Sequence, residues 1–170
     1  MKKVTLKVNG RPGQVVVDPN LALIDLLRGV YNLTSVKQSC DRKGQCGACT
    51  VLVNGRRVNA CLNLAVARAG DRIVTIEGLA EDGKLHPLQD AFVKHDGFQC
   101  GFCTPGQICS AVGMLAEAKA GMPSAVTGDL RGRVEVDAVE VRERMSGNIC
   151  RCSAYPNIVA AILDAKGAAT

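Results

Sequence analysis

Eight of the nine cysteines in this chain fall into two groups of four, a pattern typical of metal binding. The first group is Cys40, Cys46, Cys49 and Cys61, and the second group is Cys100, Cys103, Cys150 and Cys152. Each group combines a short clip of cysteines with cysteines from elsewhere in the chain. Four thiolates are the ligand set of an iron–sulfur cluster or of a structural zinc ion. The spacing therefore predicts two metal centres.

Disulfide bonds are the obvious alternative for so many cysteines. A pair such as Cys150 and Cys152, with one residue between them, suits shared metal ligation better than a cross-link, and nine is an odd number. Because free thiols are typical of reducing compartments, the cysteines indicate synthesis in such a compartment.

Composition and charge argue against several other classes of function. The formal net charge is +5, but aromatic residues make up only 3% of the 170 residues, so the arginines lack the stacking partners typical of nucleic-acid binding. No apolar run approaches the roughly 18 residues of a membrane span, and Met1-Lys2-Lys3 leads directly into an alternating segment without a signal peptide. We expect no nucleic acid, no membrane and a cytoplasmic location, with the periplasm as the alternative if an export signal was removed.

The N-terminal half is patterned as strands. Alternating segments cover residues 4–8, 14–17, 50–53 and 72–76. Asn-Gly pairs at 9–10 and 54–55 predict hairpin turns. Asp18-Pro19-Asn20 is a plausible helix cap before an apolar face formed by Leu23, Ile24, Leu27 and Val30. A polar, glycine-bearing stretch at 77–83 predicts a linker, so the first domain is assigned to residues 1–79.

Helical patterns replace strands in the second domain, residues 80–170. Amphipathic segments lie at 87–95, from 104 onward, at 137–146 and at 156–165, which predicts four helices. Thr104-Pro105 supplies an expected N-cap and first-turn proline, and Glu140 is placed to pair with Arg144. Residues 122–136 form an unusually long connection, either a partner clasp or a solvated loop. The fold class is α+β.

Glycines beside the cysteines favour a cluster over zinc. Gly44, Gly47 and Gly101 let a loop curve tightly and direct backbone N–H groups at sulfur. The histidines, His86 and His95, lie outside the cysteine clips and are expected to be structural or surface residues. The ninth cysteine lies among apolar residues of a predicted helix and is expected to be a core thiol.

The first cysteine group resembles the loop of plant-type ferredoxins, with one departure. Five residues separate Cys40 from Cys46, whereas that loop has about four. We expect the extra residue to form a bulge in the loop 41–45. The hairpin that follows should bring Cys61 back beside Cys49.

Three motifs together resemble one family, the iron–sulfur subunits of xanthine oxidase-type molybdenum hydroxylases. They are CGACTV at 46–51, QCGFCTPG at 99–106 and GNICRC at 147–152. The resemblance extends from about Val4 to Ala165. Within the family, NACL at 59–62, TIEGL at 75–79 and KHDGFQ at 94–99 look most like the small subunits of bacterial aldehyde oxidoreductases.

The resemblance implies a β-grasp, ferredoxin-like domain followed by a four-helix bundle, each binding one [2Fe–2S] cluster through its own cysteine group. It implies that Gln99 and Cys152 contact molybdopterin, as a cytosine dinucleotide, on a large partner subunit. A medium subunit would carry FAD. Electrons would then pass from the molybdenum centre through the C-terminal and N-terminal clusters to FAD, and substrate oxidation would take place on the partner.

Two other functions fit the cysteines. A free-standing two-cluster ferredoxin would carry electrons between enzymes, but such shuttles are commonly acidic and this chain is basic. A zinc-stabilised interaction module fits less well, because zinc sites favour clips with two residues between cysteines. The substrate, the final electron acceptor and the subunit stoichiometry have no signature in these residues.

Overall fold

The N-terminal half folds as a mixed five-stranded sheet in the computed structural model, which describes residues 1–168. The strands are β1 (Lys2–Val8), β2 (Arg11–Val17), β3 (Thr50–Val53), β4 (Arg56–Asn59) and β5 (Arg72–Val74). Their order is β2-β1-β5-β3-β4, with β1 and β5 parallel and the other described pairs antiparallel. Left-handed Asn9 and Asn54 form the two hairpin turns, which confirms the prediction made from the Asn-Gly pairs.

One short helix, α1 (Leu23–Asp25), crosses the sheet and continues as a wide π-helical turn, Leu26–Val30. The expected cap at residues 18–20 was wrong, because Ala22 precedes the helix and no side chain caps it. The expected apolar face was wrong at its last member. The π turn adds a residue per turn, so Val30 faces solvent and is 59% exposed.

The C-terminal half contains four helices within the described residues. They are α2 (Pro87–Lys94), α3 (Thr104–Lys119), α4 (Ala138–Arg144) and α5 (Tyr155–Ala165). Helix α5 packs against α2 and α4, and α3 packs against α2 and against strands β3 and β4. Helix α3 therefore also covers part of the sheet.

Helix starts in this half use different caps from those expected. Thr104 was predicted to be the N-cap of α3, but the cap position is Cys103 and Thr104 is the first helical residue. The ring Nδ1 of His86 accepts the backbone N–H of Leu88 and caps α2, so the structural role expected for this histidine is confirmed. The carboxylate of Asp137 caps α4.

Two groups of buried apolar residues stabilise the fold. The first lies between the sheet and α1 and includes Leu6, Ile24 and Ile73. The second lies among the C-terminal helices and includes Phe92 and Met114. Residues Ile76 and Leu79, which follow β5, pack against the second group. The predicted strand to residue 76 therefore ends early, at Val74, and the chain turns toward the helices.

The long connection at residues 122–136 is anchored where it begins. The hydroxyls of Ser124 and Thr127 each donate to the carboxylate of Glu140, at 2.9 Å. That carboxylate pairs with Arg144 at 2.7 Å, so the predicted i,i+4 pair is confirmed, and both side chains are buried. Hydrogen bonds from these groups lower the pKa of Glu140 despite the opposing effect of burial.

Two further sequence expectations concern the chain as a whole. No helix within residues 1–168 has the length and apolar character needed to cross a bilayer. All nine cysteines are free thiols in the structure, and the ninth, Cys109, is buried in α3 as expected. Positions 169 and 170 of the second predicted domain lie outside the described residues.

Candidate metal centres

The first group of cysteines lines one small cavity beside α1. Its lining includes Cys40, Cys46, Cys49 and Cys61 together with Ile24, Lys37, Gln38, Ser39 and Arg42. The sulfurs contact in pairs, Cys40 with Cys46 and Cys49 with Cys61. Thr50 pairs with Asn59 at the base of the β3–β4 hairpin, and the chain then delivers Cys61 next to Cys49 as predicted.

The extra residue between Cys40 and Cys46 is absorbed by left-handed backbone. Asp41, Arg42 and Gly44 all have positive φ angles, of 49°, 63° and 68°. The Arg42 guanidinium forms two hydrogen bonds with the Asp25 carboxylate at 2.7 and 2.8 Å, which ties the loop to α1. The expected bulge is therefore present and fixed in place.

Backbone amides of this loop point at sulfur. Burial alone would raise the pKa of Cys40, but backbone N–H groups of Gln45, Cys46 and Lys43 lower it to about 7. These donors stabilise a thiolate. The pKa of Cys49 behaves in the opposite way, since burial raises it to about 12. A thiol must lose its proton to ligate a metal, so metal binding at Cys49 would release one.

The second group of cysteines lies where α3 begins and the chain approaches α5. Again the sulfurs contact in pairs, Cys100 with Cys152 and Cys103 with Cys150. The backbone N–H of Phe102 donates to Cys100 and lowers its pKa. The distant Cys150 and Cys152 therefore fold back onto the 100–103 loop, as the sequence predicted.

Gln107 reaches the second group from one turn inside α3. Burial raises the pKa of Cys103 to about 12, followed by contact with Cys150, while a hydrogen bond from the Gln107 side chain acts in the opposite direction. The Gln107 amide also donates to the backbone oxygen of Asn148 at 3.0 Å. Its side chain is buried, at 1% exposure, so both contacts are shielded from water.

The two groups of cysteines meet where Asn148 and Ile149 form hydrogen bonds to Cys46, Gly47 and Gly106, a contact that we call the joint. The Asn148 amide donates to the carbonyl oxygens of Gly47 at 3.0 Å and Gly106 at 3.2 Å. Beside it, the N–H of Ile149 donates to the carbonyl oxygen of Cys46 at 2.9 Å. Cys46 of the first predicted ligand set is therefore linked by one backbone hydrogen bond to Ile149, the residue before Cys150 of the second set.

Arg57 forms a second link between the halves. Its guanidinium forms two hydrogen bonds with the Glu117 carboxylate, at 2.9 and 2.8 Å. It also donates to the Ser110 hydroxyl at 3.3 Å and to the backbone oxygen of Arg144. Strand β4 is thereby bonded to both α3 and α4.

Replacing Arg57 with alanine should destabilise the protein by about 1–3 kcal/mol, because it leaves Glu117 half-buried without its main partner. Urea unfolding of the purified protein measures this loss. Arg56→Ala is the matched control, since Arg56 is the exposed neighbour on the same strand and should change stability by less than about 0.5 kcal/mol. Equal losses in the two variants would contradict the proposed link.

The two groups of cysteines differ in exposure. In the first group Cys49 is buried and the other three are half-buried, whereas Cys100 in the second group is exposed. Gln99, next to Cys100, is exposed too. Large apolar side chains near these cysteines in the chain are open to solvent, namely Phe98, Phe102, Ile149 and Tyr155. The second group therefore borders a partly apolar surface.

A [2Fe–2S] cluster fits these residues chemically. Each group offers four sulfurs as two contacting pairs, and amide donors point at Cys40, Cys100 and Cys103. Hydrogen bonds to sulfur are an established means of tuning such clusters. Within residues 1–168, no set of three or more His, Cys, Asp or Glu side chains converges on a point able to hold one metal ion.

Sequence analysis missed several residues near the cysteines. Asn148 had been noted only as a motif letter, and Gln107 and Arg57 had no assigned role. Gln107 lies four residues after Cys103 at a helix start, a spacing that places both on one helix face. That signal was available in the sequence. The contacts of Asn148 and Arg57 span 101 and 60 positions of the chain and had no local signal.

Comparison with known proteins decides the family. Residues 6–74 match the family described as 2Fe-2S iron-sulfur cluster binding domain, and residues 75–163 match the [2Fe-2S] binding domain family. The aldehyde oxidoreductase iron-sulfur-binding subunit PaoA of Escherichia coli (strain K12) is 61% identical over 164 residues, covering 96% of this chain and 71% of that protein. The xanthine dehydrogenase iron-sulfur-binding subunit of Escherichia coli O157:H7 is 42% identical, covering 94% and 91%. This chain belongs to the iron–sulfur subunits of the xanthine oxidase family.

A solved structure agrees with this assignment. Quinoline 2-oxidoreductase from Pseudomonas putida 86 aligns with a TM-score of 0.85 and 39% identity, covering 99% of this chain and 95% of that chain. As a xanthine oxidase-family iron–sulfur subunit, the chain is an electron-transfer component of a molybdenum hydroxylase. It is not a free-standing ferredoxin. Its two [2Fe–2S]-binding domains account for the two groups of cysteines.

Proposed function

We propose that the chain relays electrons from molybdopterin on a large partner subunit to FAD on a medium partner subunit. The observation that carries this proposal is the joint between the two groups of cysteines, where Ile149 donates to the carbonyl oxygen of Cys46. Two electron carriers held this close in one chain form a fixed relay. The exposed Cys100 supports entry of electrons on the C-terminal side.

Each group of cysteines is proposed to hold one [2Fe–2S] cluster. The N-terminal ligands are Cys40, Cys46, Cys49 and Cys61, and the C-terminal ligands are Cys100, Cys103, Cys150 and Cys152. When bound, such a cluster supplies a one-electron carrier of low potential. The protein supplies the backbone donors of the 41–46 loop and the Gln107 amide, which stabilise negative charge on sulfur.

Gln99 and Cys152 are proposed to contact the pterin, most simply a molybdopterin cytosine dinucleotide. Gln99 is exposed and adjacent to Cys100, whose sulfur contacts that of Cys152. An amide at this edge can both donate to and accept from a pterin ring. The relative at 61% identity is named an aldehyde oxidoreductase subunit, which supports an aldehyde as the substrate oxidised on the partner.

We also propose a boundary after residue 79, between a β-grasp ferredoxin-like domain and a four-helix bundle. The separate apolar cores of the two halves support it, although Ile76 and Leu79 already pack on the helical side. A cytoplasmic location is proposed, with the periplasm as the alternative.

The native complex tests this proposal. Purification from its source should give a particle much larger than the 17.9 kDa of this chain, containing molybdenum and FAD. Metal analysis should find that this subunit contributes about four irons per molybdenum, two from each cluster. Recovery of this chain alone, or of about two irons per molybdenum, would overturn the relay or one of the ligand sets respectively.

A further inference from the structure

Asn148 lies where three segments bearing the proposed ligands meet. It lies on the segment leading to Cys150, and its amide bonds to the 46–49 loop at Gly47 and to the start of α3 at Gly106. Only 7% of the residue is exposed. A buried side-chain NH2 group that donates to two carbonyl oxygens is held in one orientation, because leaving either donor unpaired is costly.

The backbone of Asn148 is held from the opposite side. Its carbonyl oxygen accepts the Gln107 amide at 3.0 Å, and Gln107 lies one helical turn after Cys103 in α3. A continuous set of hydrogen bonds therefore runs from Gln107 in α3 through Asn148 to Gly47. Gly47 lies one residue from Cys46, on the other group of cysteines.

The start of α3 packs tightly against the 46–49 loop at the joint. A Cβ atom on Gly106 would lie 2.5 Å from the carbonyl oxygen of Gly47 and 3.0 Å from that of Ala48. Helix α3 therefore touches the first loop backbone to backbone. A change of a few tenths of an ångström at this contact moves one cluster site relative to the other.

We propose that Asn148, supported by Gln107, is a positioning residue that fixes the separation and relative orientation of the two clusters, and thereby the rate of electron transfer between them. This inference rests on the ligand sets proposed above. Electron transfer slows exponentially with distance, and the magnetic interaction between two reduced clusters falls with the cube of distance. Both quantities therefore report the geometry of the joint.

Asn148→Asp replaces the donating side-chain NH2 group with an oxygen and leaves the shape of the side chain almost unchanged. The variant places a carboxylate oxygen opposite the carbonyl oxygens of Gly47 and Gly106, so attraction becomes repulsion and the joint should open. In the purified complex we expect two clusters with unchanged individual EPR g-values, a weaker spin–spin interaction in the fully reduced sample, and several-fold slower electron transfer between the clusters. Asn157→Asp is the control, because Asn157 is exposed and donates only one surface hydrogen bond, to Asp96.

Gly106→Ala tests the same geometry while keeping Asn148 intact. The added methyl group should push α3 away from the 46–49 loop and weaken the magnetic interaction in the same direction. Gly29→Ala is its control, since a Cβ there has open space. If Asn148→Asp loses iron, a weakened interaction in Gly106→Ala still supports the proposal.

A wild-type interaction and a wild-type rate in a Gly106→Ala complex that retains both clusters would overturn the proposal. The proposal would also be overturned if Asn148→Asp and Gly106→Ala both lowered the melting temperature while the magnetic interaction and the electron-transfer rate stayed unchanged. That result would mean that these residues only stabilise the fold. The iron content of the wild-type complex separates this outcome from failure of the ligand assignment. About two irons in the wild type would mean that one of the proposed clusters is absent, and a role for Asn148 in positioning two clusters would then be excluded as well.

Discussion

Cys49→Ala and Cys103→Ala should each reduce the iron content of the chain from about four to about two. A cluster that loses one of its four thiolate ligands loses a covalent anchor, and the histidines, His86 and His95, lie outside the cysteine clips. Each variant should lose one of the two cluster EPR signals, and the two variants should lose different signals. Iron analysis with EPR of the reduced complex measures both effects.

Cys109→Ala is the matched control for these variants. Cys109 is as buried as Cys49, and burial raises its pKa to about 12, but it lies mid-helix in α3. Its loss should cost about 1–2 kcal/mol of packing while both EPR signals and all the iron remain. Iron loss in this variant would show that the ninth thiol belongs to a cluster, contrary to both sequence and structure.

Gly47→Ala should disrupt the joint between the two cluster-binding halves. Gly47 has a φ angle of +67°, where alanine is strained by about 1–2 kcal/mol. In addition, the new Cβ would lie 2.5 Å from the backbone oxygen of Gly147 and 2.6 Å from the Asn148 amide nitrogen. Since backbone cannot move aside easily, this collision should cost a further ~1–3 kcal/mol. We expect a clear loss of thermal stability together with partial loss of iron.

Gly55→Ala is the control that separates the cost of left-handed backbone strain from the cost of the steric collision at Gly47. Gly55 has a φ angle of +82°, and nothing lies within 4 Å of the position of its Cβ. That variant should lose only the ~1–2 kcal/mol of left-handed strain and keep its iron. Denaturant unfolding of both variants gives the two losses. A loss in Gly47→Ala no larger than that in Gly55→Ala would contradict the tight contact at the joint.

The sequence predicted those features whose signals are local. Alternating Val4, Leu6 and Val8 mark a strand with one buried face, and the structure buries all three. The Asn54-Gly55 pair predicted the hairpin that returns Cys61 to Cys49. Three cysteine motifs in order were specific enough to indicate the family, because each constrains chemistry as well as spacing.

Features that depend on distant contacts were missed or placed wrongly. Val30 follows the helical pattern, but a π turn after Leu26 rotates it to solvent. Thr104 has the chemistry of a cap, yet Cys103 takes the cap position without a side-chain hydrogen bond, and its sulfur contacts that of Cys150. The roles of Asn148 and Arg57 exist only after the two halves have packed together. Pattern reasoning along one chain does not reach such tertiary effects.

The positions of the cysteines in the sequence determine which of the two sites can form first during synthesis. All four cysteines of the first group have been synthesised by residue 61, and the sheet that carries their hairpin is complete once β5 has followed, at Val74. The second group waits for residue 152, and so does Asn148, whose amide closes the contact with Gly47. During synthesis, the N-terminal site can therefore receive iron and sulfide while the C-terminal site still lacks Cys150 and Cys152. We expect the two centres to fill in that order, with closure of the joint as the final step of maturation.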